Sequence, residues 1–416
     1  MKKIIGLVLL AGALGCTKED VDKNSLGESG VSVSYSDKAL VIEKSADEVI
    51  IGRNETTGQY TLKKEAFRNQ PKAGEVILIP GELMRKVKSV RSSGDNYLVE
   101  TEDAALTEVI KNGTIAFDIS PDWGDASSLR IGGREVLQKG QRLSVSPIEH
   151  QVSVGGVDHK IIITPKLENG KINACSFTFE MSKGSSTAFV AEGTATLPSQ
   201  QARMVIENGK LKDFNAHNKS LKADFSVRMA TAGGNSGEHS LKLPEMAISF
   251  PIRFIPSPAG PIPNPIPMTI DVGVQFVSQM TVPDARSSAT ARSRVSFDAH
   301  AGFEYKGTDV STDGGLNQSE VTDGTFDSAA TIGMPVDLQF GVAFPRVSLK
   351  IAGQEVAFVH VGYTTGSRLK WGPVCKSGYS KVIVEGGYEL KVLGQTLSAA
   401  RKTFAEMEKR AGDACD

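Results

Sequence analysis

Compact catalytic signatures are missing from this 416-residue sequence. It has no His-Glu-x-x-His, no Cys-x-x-Cys, no phosphate-binding loop ending in Gly-Lys-Ser/Thr and no Gly-x-Ser-x-Gly. The short motifs of zinc proteases, dithiol redox proteins, nucleotide hydrolases and α/β-hydrolases are therefore excluded. The six histidines, His150, His159, His217, His239, His300 and His360, are scattered. His159 follows Asp158 and His239 follows Glu238, yet neither pair has metal-ligand spacing. All six read as surface or hydrogen-bonded side chains, and no metal or cofactor is implied. Neither sign of charge dominates: 47 basic residues face 48 acidic ones. That balance excludes the basic field that draws nucleic acid. Beyond Leu14, no apolar run approaches the roughly 20 residues of a membrane-spanning helix. Cysteine is scarce too, with only Cys16, Cys175, Cys375 and Cys415.

The most informative stretch is the N-terminus. Met1-Lys2-Lys3 is basic, Ile4 to Leu14 is apolar apart from Gly6 and Gly12, and Ala13-Leu14-Gly15-Cys16 follows. A basic start, a short apolar segment and small residues at the cut describe a secretory signal peptide over residues 1–15. With a cysteine directly after the cut, the stretch resembles a bacterial lipoprotein signal. The resemblance implies that Cys16 is acylated and becomes the mature N-terminus. Lys18, Glu19 and Asp20 lie just behind it, similar to the surface-export signal of Bacteroidetes-type lipoproteins. By that likeness the chain is anchored to the outer membrane and faces the outside of the cell. Residues 16–30 hold almost nothing apolar and form a flexible lipidated tether. At ~0.8 kcal/mol per buried CH₂, several acyl chains anchor a protein stably. The expected membrane contact is therefore the lipid alone. Removing the signal leaves 416 − 15 = 401 residues and 45 basic against 48 acidic side chains, a net charge of −3.

An exported chain permits disulfides. Three cysteines remain after Cys16, so one bridge at most forms within the chain. Cys375 and Cys415 are the expected pair, because a bridge there pins the C-terminal tail to the body. Cys175 sits in Ala174-Cys175-Ser176-Phe177, a strand pattern in which a free thiol behaves as a small hydrophobe.

The remainder reads as mainly β. Forty-two glycines and few helical runs favour antiparallel sheets with many turns. Residues 31–120 form a small β module. It runs through Val31–Tyr35, Ala39–Ile42, Glu48–Gly52, Gly74–Gly81 and the hairpin around Ser92–Asn96, then one helix over Asp103–Lys111 and a strand from Thr114. Within it Arg85, Lys86, Lys88 and Arg91 cluster as a solvated strand face, with polyanion binding as the alternative. The order of elements resembles a module of large secreted bacterial proteins to which no activity is attached. Ser120-Pro121-Asp122-Trp123-Gly124-Asp125 marks a boundary, and residues 121–395 form a large antiparallel domain, or two. Asn208-Gly209 is a hairpin signal. Seven of the 18 prolines fall between Pro251 and Pro267, which describes an extended crossover rather than a central strand. Ala291 to Lys306 alternates without a break. Sixteen such residues at ~3.3 Å each reach roughly 50 Å, the length of a tall curved sheet with one dry and one wet face. The Pro-rich crossover and the long alternating strands loosely resemble the C-terminal β region of those same secreted proteins.

Residues 308–328 read as an acidic loop in which Asp309, Asp313, Asn317, Glu320, Asp323 and Asp327 offer oxygen ligands to a weak Ca²⁺, though not at EF-hand spacing. The tail, residues 396–416, reads as a C-terminal helix over Thr396–Ala411. Leu397, Ala400, Phe404, Met407 and Ala411 repeat at helical spacing, with Glu406 and Arg410 as an i,i+4 pair. Three functions stand side by side. The first is a non-enzymatic surface lipoprotein binding an unknown extracellular ligand or serving as structure. The second is an apolar-ligand carrier with a tunnel in a curved sheet. The third is a surface hydrolase whose catalytic residues are far apart in sequence.

Overall fold

Alternation of apolar and polar residues runs through the strands, and most of the described residues lie in strands. The computed structural model describes residues 30–137, 146–154, 157–168, 171–183, 187–196, 199–231, 237–242, 245–252, 265–282, 289–322, 336–370, 375–395 and 400–412. In order these form β1 (Gly30–Tyr35), β2 (Ala39–Val41), the helical turn α1 (Ala46–Val49), β3 (Ile50–Asn54), β4 (Gln59–Lys63), β5 (Val76–Ile79), β6 (Leu83–Ser93), β7 (Asn96–Asp103), the turn α2 (Leu106–Val109) and β8 (Ile110–Ile119). Then follow β9 (Ser128–Ile131), β10 (Arg134–Leu137), β11 (Ile148–Val154), β12 (Val157–Glu168), β13 (Lys171–Lys183), β14 (Thr187–Thr196), β15 (Gln200–Glu207), β16 (Lys210–Thr231), β17 (Gly237–Lys242) and β18 (Met246–Pro251). The last strands are β19 (Met268–Val282), β20 (Ala289–Lys306), β21 (Asp309–Thr322), β22 (Val336–Ile351), β23 (Gln354–Lys370), β24 (Cys375–Tyr388) and β25 (Ala400–Gly412).

Two large antiparallel sheets face each other. One has ten strands in the order β1-β8-β15-β16-β14-β13-β12-β11, with β20 on the other edge of β16 and β21 beyond it. The other has nine, β10-β9-β18-β19-β22-β23-β24-β25, with β17 also on β19. The first sheet is split. One edge of β16 pairs with β15 along Lys210–Asn218 and with β14 along Ala223–Thr231, while β20 follows its other edge. The register slips between Asn218 and Leu221, where one partner gives way to the other. A single core fills the space between the sheets. Phe225 has its ring centroid 5.0 Å from Phe177 and 6.1 Å from Phe297, linking three strands. Each such ring removes of order 150–250 Å² from water.

Ala39–Asp103 build a third sheet, order β2-β5-β6-β7-β4-β3, with its own core. Its strand β5 is buried on both faces: Ile77 and Ile79 fill the small core, while Val76 and Leu78 join the large one. β1 and β8 pair with each other and enter the ten-stranded sheet through β15.

Four sequence expectations change. The expected C-terminal helix is the strand β25, paired along β24. The register slips where Val384 meets Ala405 and Glu385 meets Thr403, so Phe404 is a bulge residue. The bulge leaves Phe404 and Met407 both facing inward, three apart, and so imitates helical spacing. Glu406 pairs with Lys381 across the ladder at 2.7 Å, and Arg410 pairs with Glu408 at 2.6 Å, in place of the i,i+4 bond. The expected acidic loop is strand over Asp309–Thr322, because the turn at Gly307 (φ 66°) continues the pairing of β20 straight into β21. The helix expected over Asp103–Lys111 is one turn, since Ile110 already pairs with Tyr35. Glu48–Gly52 begins with a turn of helix, in which the Ser45 amide donates to Glu48 Oε2 at 3.0 Å. Pro251, for its part, ends a strand flanked by β9 and β19, but β9 reaches only to Ser249. Asn208 (φ 51°) and Gly209 (φ 67°) form the foreseen left-handed hairpin turn.

Candidate binding surface

The outer face of the ten-stranded sheet is built from the polar halves of alternating strands. Strand registers align Ser176, Thr194, Asp224, Ser296 and Glu320 in one row across β13, β14, β16, β20 and β21. The next row runs Thr178, Glu192, Ser226 and Arg294. On the other side lies the row Lys222, Asp298 and Gln318. Curvature of the sheet makes this face a trough of about 840 Å³, adjoined by a recess of about 330 Å³ at Arg294. The polar groups hold one another. Arg294 donates through Nε and Nη2 to both oxygens of Asp224, each at 3.2 Å. Asp298 accepts from Ser220 at 3.1 Å and Asn317 at 3.5 Å, and Lys222 stands 3.5 Å away.

Farther along β16 the same face is more deeply buried. Asp118, Gln201, His217, Gly302 and Asp313 lie in one row. His217 occupies the space over Gly302, where a Cβ would come 2.1 Å from Nδ1. His300 lies beside Gly315, its Cε1 at 3.4 Å from where a Cβ would stand, an ordinary contact. Burial pushes the His217 imidazolium below its ordinary pKa; Glu304 and Asp313 oppose the shift and Lys219 adds to it. Arg203 and Asp213 pair at 2.8 Å, yet burial still raises the Asp213 carboxyl.

A second polar cluster lies on the outer face of the nine-stranded sheet. Arg346 donates to both oxygens of Glu355 at 2.8 and 2.9 Å and covers the Phe358 ring at 4.1 Å. His360 is parallel to that ring and bonds Glu385 at 3.1 Å, while Thr403 Oγ1 donates to Glu385 at 3.4 Å. Burial lowers the His360 pKa, Glu385 opposes, and Arg346 and Arg401 add to the lowering.

Cys16, Lys18, Glu19 and Asp20 lie outside the described residues, as do Cys415, Asp323 and Asp327. Cys375 opens β24, but its side chain is also outside them, so the expected bridge is too. Cys175 is a buried free thiol whose pKa burial pushes up to about 12. Asp309, Asp313, Asn317 and Glu320 stand along β21. Among the described residues, no three His, Cys, Asp or Glu side chains converge to hold a metal ion, and no helix is long and apolar enough to cross a membrane. Of the basic cluster on β6, Arg85 pairs with Asp103, and Lys86 lies 2.8 Å from Glu108 and 3.7 Å from Glu102. The trough itself was beyond sequence reasoning, which saw one wet face but not the strands beside it. No family model, curated protein or solved structure matches the chain.

Proposed function

We propose that the chain is a surface lipoprotein, acylated at Cys16, exported by Lys18-Glu19-Asp20, and acting without catalysis as a β-sandwich that binds an extracellular ligand. The observation that carries the binding half is a contrast of volumes. Among the described residues, an enclosed apolar pocket between the sheets, lined by Trp123, Cys175, Phe177 and Ile248, measures about 10 Å³. That is about the space of one water, whereas a lipid carrier needs a cavity to match its cargo. The outer trough offers about 840 Å³, within the ~300–1,000 Å³ of ordinary ligand sites. Its acids also argue for binding over hydrolysis. Asp224 and Asp298 are each met by a basic side chain, whereas a glycosidase general acid sits in an apolar setting.

Cys16→Ser, expressed in the native host, tests the anchor. The variant should lose palmitate labelling and leave the membrane fraction; labelling that persists contradicts the proposal. Native mass spectrometry of the purified protein tests the carrier alternative. The polypeptide should appear without co-purified lipid, and a retained lipid overturns the binding assignment.

A further inference from the structure

The trough's chemistry narrows the class of ligand. Acids slightly outnumber bases: Lys166, Lys222 and Arg294 stand with Glu192, Asp224, Asp298 and Glu320. A surface of this kind has no field for a polyanion, whose binding rests on neutralised phosphates. Its floor is formed by β14, β16 and β20, each paired on both edges, so an added peptide strand could pair only at the rim, along β21, and not across the floor. Nor does the trough hold an apolar anchor for peptide side chains. Among the described residues its aromatics, Phe297 and Phe177, are 4% and 2% exposed and belong to the core. What remains is a dense mixture of hydroxyl, amide, carboxylate and ammonium groups. Such a surface suits a ligand each of whose groups both donates and accepts. The side chains are also fixed by bonds to one another, as at Asp298 with Ser220 and Asn317, which limits the ordering cost of binding. Five strands at ~4.8 Å spacing give the trough a width of roughly 19 Å, longer than one sugar ring.

We propose that this trough binds a short neutral oligosaccharide across β13, β14, β16, β20 and β21. The inference rests on the reading that the outer face is the binding surface, and it names the ligand class for that face. Asp224 and Asp298 accept from vicinal hydroxyls, Asn317 accepts and donates, and Lys222 closes one side. Without a stacking ring the affinity comes from hydrogen bonds alone, with a dissociation constant of about 0.1–1 mM.

The test uses the full-length protein in a polyoxyethylene detergent, which carries no sugar headgroup. Neutral trisaccharides of glucose, mannose, galactose and N-acetylglucosamine are titrated with saturation-transfer NMR as the readout. At least one should bind. Asp298→Asn and Asn317→Ala should each weaken it about tenfold, and Arg53→Ala on the small sheet should leave it unchanged. Lys222→Gln, an exposed position, serves if Asp298→Asn does not fold. Absence of binding for all four sugars below ~10 mM overturns the inference, as does binding that survives every trough variant. A chain that is acylated and surface-exposed yet binds no sugar loses this inference alone. A chain that binds sugar but is not acylated loses the anchor alone.

Discussion

Phe404 supplies the sharpest check on the fold, because its position follows from reading the tail as a strand. Its ring lies between the two large sheets, 5.9 Å from Phe303 by centroid. It fits there because Gly314 on β21 and Gly386 on β24 have no side chain. A Cβ at Gly314 would meet Phe404 Cγ at 2.6 Å, and one at Gly386 would meet Cε2 at 2.7 Å. Gly314→Ala therefore overpacks the site at a cost of ~1–3 kcal/mol. Phe404→Ala removes a half-buried ring, so its cost falls at the lower end of the Phe→Ala range, about 3 kcal/mol. With the ring gone, the alanine at 314 meets open space and its cost vanishes, or reverses by ~0.4–1 kcal/mol through the stiffer unfolded chain. The double variant should thus lie near Phe404→Ala alone, a coupling of about 1–3 kcal/mol. Urea denaturation of the four proteins, followed by circular dichroism, measures it. Costs that add within ~0.5 kcal/mol would show that Phe404 does not rest on Gly314, and the strand assignment of the tail would fall with it.

Acid should weaken the fold before the carboxylates titrate. Burial lowers the pKa of His159, His217 and His360, so below the ordinary value of ~6.5 the unfolded chain takes up protons that the folded chain does not. Stability then falls as pH drops from 7.5 to 5.5, and His217→Gln should flatten the slope; a midpoint independent of pH across that window refutes this. Native, unreduced protein treated with iodoacetamide at pH 8 should show Cys175 unmodified, and peptide mapping should recover Cys375 linked to Cys415 in a ring whose closure contributes ~4 kcal/mol in the chain-entropy model. Alkylation of all three thiols would contradict both statements.

How much of this was legible in the sequence differs from element to element. The hairpin at Asn208-Gly209 and the alternation of Ala291–Lys306 were plain, because each depends only on neighbouring residues. The turn α1 was overlooked although its signal, Ser45 three residues before Glu48, is a capping box. The tail misled for a physical reason: a bulge at Phe404 shifts the inward residues by one and copies a helical repeat. The segment from Asp309 to Thr322 was read as an acidic loop from Asp309, Asp313, Asn317 and Glu320, which in the structure stand along one strand. Gly314 within it makes room for the ring of Phe404. The trough could not be foreseen, since Ser176, Thr194, Asp224, Ser296 and Glu320 meet only through the pairing of five strands distant in sequence.

The central claim, a ligand-binding face displayed outside the cell, is tested most directly by labelling Lys222→Cys on intact cells with a membrane-impermeant maleimide. Lys222 is exposed and lines the trough. The account predicts that the variant is labelled on whole cells, above the background of the wild type. Labelling that appears only after the outer membrane is permeabilised would contradict it.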